Sequence, residues 1–581
     1  MALAEDQSIM LQTNAPSASH REVDASENYQ QKLANPLFLY SVYKTPKRTQ
    51  LPEGHQKMLQ PIITDTSDFP EIRKSGCIYV DKTAYFHNLI TRKDARRFFL
   101  ARPRRFGKSL MISTLKAIFE GRRELFDGLA ISQTDWTWEK YPVLYFNFGF
   151  AASTSADQFM LTFSDAVATA IENAGGTYDS QKAVSSNFGR AIDTLSANNN
   201  NKGVVILIDE YDDPVAQLLD KPDEAEVVRG TLSSFYRQMK DRSGSIRFLM
   251  ITGVSKFTKM SVFSALSNIH DLSFDDEFAT MLGYTETELD QYFDEHMHIH
   301  AEKMGVSYDD YRAELKRWFN GYRFWKFDGE AVYNPVSIGV NLARREPVFM
   351  PCWSQTGKAS MLMNYLKRED FLSLDMEKVR GVREHDFDVT DIRVLKSVPM
   401  LFQTGYLTIE DYNRNTGMFT LRVPDEEVRE DLATLTTSIA AQQDTAWVSQ
   451  LGDSLLNAEW NDFFFGLKSL YAALPYGSTE ENVHEFSFER NLVVLLWSQG
   501  IRCTTEDRQS NGQADVVAVH PCGVFIFELK VNESAEAALK QVRDKQYEAP
   551  YQGRGLPIWI IGLNFDRQTR HLLDTKAEKL C

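Results

Sequence analysis

The sequence predicts an α/β protein whose N-terminal half is a parallel sheet covered on both faces by helices, followed by a smaller α/β unit at the C-terminal end. Two observations lead to this fold class. Short, nearly continuous apolar runs alternate with helical stretches, which is typical of parallel strands buried on both faces. In addition, a chain of 581 residues is longer than one hydrophobic core usually supports, so we expect two or three domains.

Composition and patterning divide the chain into four segments. Residues 1–65 are rich in Ser, Gln, Asn and Thr and are expected to form a disordered arm. Residues 66–290 contain the strand-like runs RRFFLARP, YPVLYFNFGF, GVVILIDEYD and IRFLMITGVS. Residues 291–475 are expected to form a helical or winged-helix-like region that acts as a lid and linker. Residues 476–581 contain an apolar helix and three strands, namely Phe488–Trp497, Ala514–Val519, Gly523–Leu529 and Ile558–Gly562.

The composition excludes several classes of protein. No run of eighteen apolar residues occurs, so we expect no membrane span, and the first residues lack the pattern of a secretory signal. The five cysteines are scattered without a CxxC pair, which argues against a zinc site and favours a reducing intracellular location, cytoplasmic or nuclear. The net charge of −16 means that any contact with DNA or RNA would need a local basic patch.

The string ARPRRFGKS follows an apolar strand and opens a helix, which is the placement that a P-loop requires. Backbone amides and the helix N-terminus attract phosphate, Lys108 would reach the outer phosphates of ATP, and Ser109 would hold Mg²⁺. The predicted ATP-binding residues here are Arg105, Phe106, Gly107, Lys108, Ser109 and Leu110. Arg102 replaces the first glycine of the general pattern. Arg102, Arg104 and Arg105 could neutralise phosphate, pair with acidic side chains or contact a nucleic acid.

An acidic pair, Asp209 and Glu210, ends the buried-type strand VVILI. The carboxyl end of a central parallel strand is where such a sheet places its site chemistry. Asp209 would hold Mg²⁺ directly or through water, and Glu210 would polarise the attacking water. The next strand ends near Thr252 and Ser255, and either hydroxyl could sense the terminal phosphate. The three elements, in this order, predict a P-loop NTPase that binds ATP and Mg²⁺.

A second group of charged residues lies near the C-terminus, in the segment GQADVVAVHPCGVFIFELK. Glu528 and Lys530 are two positions apart on one strand, so their side chains emerge on the same face. Asp515 starts the preceding strand of an apparent hairpin, which would bring it close to both. Asp515 and Glu528 are hard oxygen ligands suited to Mg²⁺ or Mn²⁺, and a lysine beside them could position or activate water.

A third acid for this site could come from the upstream helix. Glu485 and Glu489 lie four residues apart, hence on one helical face, and spacing alone does not choose between them. Gln541, on the helix after the second strand, could point back toward the site. A solvated charge pair on an edge strand is the structural alternative to a catalytic role.

Several segments together resemble a known family. YVDKT, RPRRFGKS, LIDEYD, ITGVSKF, LGYTETEL, FNGYRF, VYNP and TGYLTI resemble the AAA-ATPase-like family. ADVV, FIFELKV, ALKQVRDKQY and IGLNF resemble a PD-(D/E)XK nuclease domain, which has a restriction-endonuclease-like fold. The resemblance covers roughly residues 66–570. It implies that RPRR is the family's version of the loop, and that Glu485 matches the helix acid while Glu489 stands where a His or Gln is usual.

Three functions remain open at this point. The first is an ATPase coupled to a metal-dependent nuclease-like domain that acts on phosphodiesters of DNA or RNA. The second is a nucleotide-dependent switch or interaction protein whose nuclease-like domain binds without cleaving, and a weaker third is a mobile-element accessory protein. An oligomer is compatible with each. The aromatic residues of the middle segment are expected to be core or interface, namely Trp318, Phe319, Tyr322, Phe324 and Trp325.

Overall fold

The structure is a computed structural model of the chain. It describes residues 59–151, 153–256, 269–325, 329–352, 378–387, 397–473, 485–509 and 512–580, with the backbone alone at 485–487 and 506–509. The predicted disordered arm, residues 1–65, therefore lies outside the described residues as far as residue 58.

A five-stranded parallel sheet forms the centre of the N-terminal half, in the order β2-β3-β4-β1-β5. Its strands are β1 (Arg97–Ala101), β2 (Val143–Asn147), β3 (Val204–Asp209), β4 (Ile246–Gly253) and β5 (His270–Asp271). The four longer strands coincide with the four apolar runs, so the predicted parallel sheet is confirmed. Because all strands are parallel, β1, β2, β3 and β4 end at one edge, and the residues that follow them meet there.

Helices cover both faces of this sheet. They are α1 (Phe69–Lys74), α2 (Thr83–Thr91), α3 (Lys108–Phe119), α4 (Ala156–Asn173), α5 (Val184–Asn198), α6 (Asp213–Ala216) and α7 (Pro222–Asp241). Successive residues of a strand point to opposite faces. Val205 and Leu207 of β3 accordingly pack with α1–α3, whereas Ile206 and Ile208 pack with α4, α5 and α7. This explains why the strand reads as a continuous apolar run.

The middle region combines helices with two small antiparallel sheets. Its helices are α8 (Glu286–Met304), α9 (Tyr308–Phe319), α10 (Pro335–Leu342) and α11 (Ser397–Thr404). Its strands are β6 (Asn320–Tyr322), β7 (Val332–Tyr333), β8 (Val379–Arg383), β9 (Thr408–Asn413) and β10 (Met418–Arg422). The aromatic residues expected to be core are largely so, since Trp318, Phe319, Tyr322 and Phe324 are buried and Trp325 is half-buried.

Three helices connect the middle region to the C-terminal unit, namely α12 (Glu426–Ala441), α13 (Thr445–Leu456) and α14 (Trp460–Ala473). Helix α12 is central among them because it packs against α9 of the middle region and against the first helix of the C-terminal unit. Its position gives it contact with both parts of the molecule.

The C-terminal unit is a five-stranded sheet in the sequential order β11 to β15, with β13 and β14 parallel and the other pairs antiparallel. Its elements are α15 (Glu485–Trp497), β11 (Arg502–Gln509), β12 (Gly512–His520), β13 (Gly523–Val531), α16 (Ala535–Lys545), β14 (Ile558–Phe565) and β15 (Leu572–Lys579). The predicted hairpin, helix and third strand are confirmed, and the outer strands β11 and β15 are additions. Helices α14 and α15 cover one face, and α16 covers the other. In the described ranges no helix combines the length and hydropathy needed to cross a membrane.

Candidate nucleotide and carboxylate sites

The loop between β1 and α3 has the conformation of a phosphate-binding turn. Arg105 and Gly107 both have positive φ, at 67° and 81°. Gly107 is the residue that precedes α3, and a Cβ there would meet nothing within 4 Å. Glycine is therefore favoured at this position by its left-handed backbone conformation and not by lack of space. The first amides of α3 have no partner within the helix and face the loop, where the helix dipole favours an anion. Ser109 is half-buried on this first turn.

Lys108 is buried, and its ammonium group stays inside the loop. Its Nζ donates to the carbonyl oxygens of Arg102 at 2.9 Å and Pro103 at 2.8 Å. Burial lowers the pKa of Lys108 to about 8, although the carboxylates of Asp209 and Glu210 oppose the shift. A lysine held by its own loop can be transferred to an incoming phosphate without leaving the buried region.

The three arginines of the loop all have protein partners. Arg102 is buried, donates to the Ser273 carbonyl at 2.8 Å and lies 4.1 Å from the ring centre of Phe324. It therefore anchors the loop to the segment after β5, which accounts for an arginine where the general pattern has glycine. Arg104 lies 3.5 Å from Asp213, and Arg105 donates to the Cys352 carbonyl at 2.9 Å.

Asp209 is fully buried at the end of β3, opposite this loop. Its Oδ1 accepts from the Thr252 hydroxyl at 2.6 Å. Its Oδ2 is buried and has no hydrogen-bond partner in the described part of the chain. A buried carboxylate oxygen without a partner is costly, and a cation would satisfy it, so Asp209 fits a Mg²⁺ ligand. Thr252, predicted to sense phosphate, thus contacts Asp209 through its hydroxyl group.

Glu210 turns the chain immediately after β3 with a left-handed φ of 52°. Burial, followed by the charges of Asp209 and Asp213, raises the pKa of its carboxyl group. A Cβ added at Gly149 would lie 1.8 Å from Glu210 Oε2, so the absence of a side chain there makes room for the carboxyl group. The strand ends of β2 and β3 thus set the position of Glu210.

Asp212 is a residue of this edge that the motif analysis missed. It is buried and accepts from the Ser255 amide at 2.7 Å and the Ser255 hydroxyl at 2.5 Å. Ser255, the alternative candidate for phosphate sensing, thus joins the segment after β4 to the segment after β3. The sequence signal for Asp212 was the run of acidic residues at the end of β3 and just after it, in which roles were predicted only for Asp209 and Glu210.

The second group of predicted residues also comes together, on β12 and β13. Asp515 Oδ2 accepts from the Leu529 amide at 2.7 Å, which joins the two strands beside Glu528. Glu528 is fully buried, and its Oε1 accepts from Lys530 Nζ at 3.0 Å. Its Oε2 is buried without a hydrogen-bond partner among the described residues. Burial, reinforced by the charge of Asp515, raises the pKa of Glu528 to about 7 even though Lys530 opposes it.

The flanking candidates of this group are only partly described. Glu485 is the first residue of α15, and its side chain lies outside the described residues. Glu489 is buried on the same helix, which packs against β11, β12 and β13. Gln541 lies half-buried on α16, which covers the opposite face of the sheet.

No cluster of three or more His, Cys, Asp or Glu side chains arranged as metal ligands occurs in the described ranges. The free cysteines among the described residues, Cys77, Cys352, Cys503 and Cys522, form no disulfide.

The fold and these sites together define a P-loop-like α/β domain joined to a small domain of PD-(D/E)XK type. Comparison with known proteins agrees. Residues 64–263 match the family model described as Predicted AAA-ATPase, and residues 482–575 match the PD-(D/E)XK nuclease superfamily. The chain is 34% identical over 530 residues to the "Uncharacterized protein in vnfD 5'region" of Azotobacter chroococcum mcd 1, covering 88% of this chain and 98% of that protein. No solved structure matches.

The chain therefore belongs to the predicted AAA-ATPase family, and its C-terminal region belongs to the PD-(D/E)XK nuclease superfamily.

Proposed function

We propose that this protein is a Mg²⁺-dependent ATPase that controls a metal-dependent nuclease site in the same chain. One observation carries the proposal: the same arrangement occurs in both domains. In each, a fully buried carboxylate has one paired oxygen and one oxygen without a partner among the described residues. These carboxylates are Asp209, whose charge acts on Lys108, and Glu528, which is bonded to Lys530. Such a carboxylate destabilises the folded protein unless a cation or a substrate binds its second oxygen.

In the ATPase domain, Lys108 and the first amides of α3 would bind the outer phosphates of ATP. Ser109 and Asp209 would hold Mg²⁺, which would neutralise charge that develops on the transferred phosphoryl group. Thr252 orients Asp209 through its 2.6 Å hydrogen bond. Glu210 would accept the hydrogen bond of the attacking water, and the raised pKa of its carboxyl group makes it a better proton acceptor than an ordinary glutamate.

An apolar cavity beside the loop supports the choice of a nucleoside triphosphate over a simple phosphate. It has a volume of about 150 Å³ and its lining includes Gly107, Leu110, Tyr79, Val80 and Pro335. An adenine ring is flat and largely apolar, and pockets for such rings are lined mainly by hydrophobic side chains. The base would therefore lie between the segment before β1 and helix α10.

In the C-terminal domain, Asp515 and Glu528 would hold Mg²⁺ or Mn²⁺, which would activate water and polarise the phosphodiester. Lys530 holds one oxygen of Glu528 and can donate to a phosphate oxygen of DNA or RNA. The third acid would be Glu485 or Glu489. The free cysteines and the dependence on ATP suit an intracellular protein, cytoplasmic or nuclear.

Cleavage assays test the proposal directly. Purified protein would be incubated with single-stranded DNA, duplex DNA or RNA, with Mg²⁺ or Mn²⁺, and with or without ATP. We expect metal-dependent cutting that Glu528→Ala abolishes and that ATP changes. Glu536→Ala is the matched control, because Glu536 is an acid of the same domain that lies on the exposed surface of α16.

The alternative function is a nucleotide-dependent switch whose nuclease-like domain binds a partner without cleaving. The raised pKa of Glu528 favours it in one respect, because a protonated carboxyl group binds metal poorly. ATP binding without cleavage of any substrate between pH 6 and 9 would favour the switch over the nuclease.

A further inference from the structure

A continuous set of hydrogen bonds and ion pairs connects the phosphate loop to the first strand of the C-terminal domain. It consists of residues from five separate parts of the chain, namely Arg105, Cys352, Glu427, Glu426, Arg317, Glu314 and Arg502. We refer to these residues as the interdomain network. Each consecutive pair is either within hydrogen-bond distance or adjacent in sequence.

The first half of the network joins the loop to the N-terminus of α12. Arg105 donates to the Cys352 carbonyl at 2.9 Å, and the Cys352 amide donates to Glu427 Oε1 at 2.6 Å. Glu427 is fully buried, and its other oxygen accepts from the Ser337 hydroxyl of α10 at 2.6 Å. Arg105 therefore connects the phosphate loop to α12 indirectly, with Cys352 as the intervening residue.

The second half joins α12 to the C-terminal domain. Arg317 lies 2.9 Å from Glu426 and 2.6 Å from Glu314. Arg502, the first residue of β11, donates to the same Glu314 at 3.1 Å. Glu314 is 2% exposed, so its carboxylate is shielded from solvent. Breaking its ion pairs would leave a buried charge unpaired, which lowers the free energy of unfolding.

Glu426 and Glu427 meet in the first turn of α12, which Asp425 caps by accepting from the Val428 amide at 3.0 Å. Because the two glutamates are adjacent in a rigid turn, a displacement of one moves the other. Helix α12 also packs along α15, the helix that carries Glu489. The first turn of α12 therefore joins the two halves of the network, through Glu427 to Cys352 and through Glu426 to Arg317.

We propose that Arg105 is a switch between the two domains, and this inference rests on the proposed ATP binding. Without nucleotide, its guanidinium holds the Cys352 carbonyl. The triphosphate of ATP, bound in the same loop, competes for the same N–H donors because hydrogen bonds between arginine and phosphate are charge-assisted. When Arg105 binds phosphate, it releases the Cys352 carbonyl, and the contact of Cys352 with Glu427 changes. The first turn of α12 then shifts. This displacement is transmitted to β11 through Arg317, Glu314 and Arg502.

Hydrogen–deuterium exchange of the full-length protein tests the switch without relying on nuclease activity. Exchange would be measured with and without Mg²⁺ and a non-hydrolysable ATP analogue, and nucleotide affinity would be titrated in the same samples. We expect the analogue to change the exchange rates in the first turn of α12 and in β11 by at least about threefold. In Arg502→Ala, the change should persist in α12 and disappear from β11.

The controls separate the possible failures. Arg502→Gln keeps most of the side-chain stem and provides a second variant if Arg502→Ala does not fold. Arg543→Ala removes an arginine of the same domain that pairs with Glu536 and Glu578, outside the network, and should behave as wild type. Absence of nucleotide binding would refute the proposed function. Binding without a change in β11, or a change in β11 that survives in both Arg502 variants, would overturn the switch.

Discussion

At the residue scale, both sites depend on the balance between burial and pairing. Lys108 is buried, yet two carbonyl oxygens of its own loop keep it hydrogen-bonded. Asp209 and Glu528 are buried and keep one oxygen without a partner among the described residues. Asp425, the cap of α12, also keeps a buried oxygen without a hydrogen-bond partner among the described residues, so this feature alone does not mark a site. Asp209 and Glu528 differ in that each also interacts with a lysine at a predicted site, Lys108 and Lys530 respectively.

Replacing Lys108 by alanine should remove nucleotide binding. The charge-assisted contact to phosphate is lost, and we expect the affinity for ATP to fall at least about 100-fold, which corresponds to about 2.7 kcal/mol. Titration with a fluorescent ATP analogue measures this. Lys116→Ala is the control, since Lys116 lies on the same helix two turns beyond the loop, where it lies 3.8 Å from Glu120 and over the ring of Tyr145. Unchanged affinity in Lys108→Ala would refute the phosphate-loop assignment.

Replacing Glu528 by glutamine should stabilise the C-terminal domain at high pH. The folded-state pKa of about 7 lies above the ordinary value, so the folded state binds more protons than the unfolded state between about pH 4.5 and 7. The free energy of unfolding of the wild type therefore decreases as pH rises through this range. Without metal, we expect Glu528→Gln to be more stable than wild type by about 1–3 kcal/mol at pH 8, with little difference at pH 5.

Denaturant unfolding at the two pH values, with a chelator present, checks this prediction. Adding Mn²⁺ at pH 8 should restore the stability of the wild type and affect the variant much less, because only an ionised carboxylate binds the ion well. A wild type that gains stability as pH rises would show that Glu528 is ionised at acidic pH and that its pKa is not raised.

At the scale of elements, the carboxyl ends of neighbouring parallel strands create the nucleotide site. The register places Asn147 of β2 beside Asp209 of β3, and Leu100 of β1 beside Thr252 of β4. The site therefore depends on strand pairing as much as on the loop. A small change at the end of one strand should alter the chemistry on the next.

Gly149→Ala tests this dependence. The new Cβ would lie 1.8 Å from Glu210 Oε2, and the flexible carboxyl end must move away. We expect the rate of ATP hydrolysis to fall at least about tenfold, because the water-positioning group is displaced, while nucleotide affinity stays within about threefold. Steady-state turnover and titration measure the two quantities. Gly230→Ala is the control, since nothing lies within 4 Å of its Cβ. Equal turnover in both variants would show that Glu210 does not position the attacking water.

At the scale of the whole molecule, Glu314 holds the C-terminal domain to the middle region. It accepts from Arg317, Arg502 and the indole of Trp318. Burial alone would raise its pKa, but the two guanidinium groups prevail and hold the pKa at about 2. The pKa lies below the ordinary value, so the resulting stability is present above about pH 4.5 and is lost as pH falls toward 2.

Replacing Glu314 by glutamine should therefore weaken the docking of the two domains. Two arginines lose their shared counter-charge in a buried position, which typically costs about 3 kcal/mol. We expect the C-terminal domain to unfold in a separate transition at lower temperature, and scanning calorimetry at pH 7 measures this. Glu302→Gln, an exposed change on α8, should leave the profile unaltered. A single unshifted transition in Glu314→Gln would show that the ion cluster does not hold the domains together.

Local patterns in the sequence were sufficient for the parallel sheet, the loop and the hairpin of the second site. These features follow from the periodicity of apolar residues and from short motifs, in which the functional residues are only a few positions apart in the sequence. Strands β11 and β15 were not predicted, because their sequences, RCTTEDRQ and LLDTKAEK, are mostly polar and a polar strand has little apolar signal. The site roles of Glu485, Glu489 and Thr252 stay predictions.

The partners of individual charged groups were decided by the tertiary structure alone. The sequence by itself determined that Arg102, Arg105, Asp212 and Glu314 are ionisable side chains, and its motifs placed Arg102 and Arg105 in the phosphate loop. Only the fold decided that Arg102 anchors the loop, that Arg105 contacts Cys352, and that Glu314 meets Arg502 across 188 positions. The physical reason is that local propensities act over a few residues, whereas burial and ion pairing depend on which distant segments exclude water together.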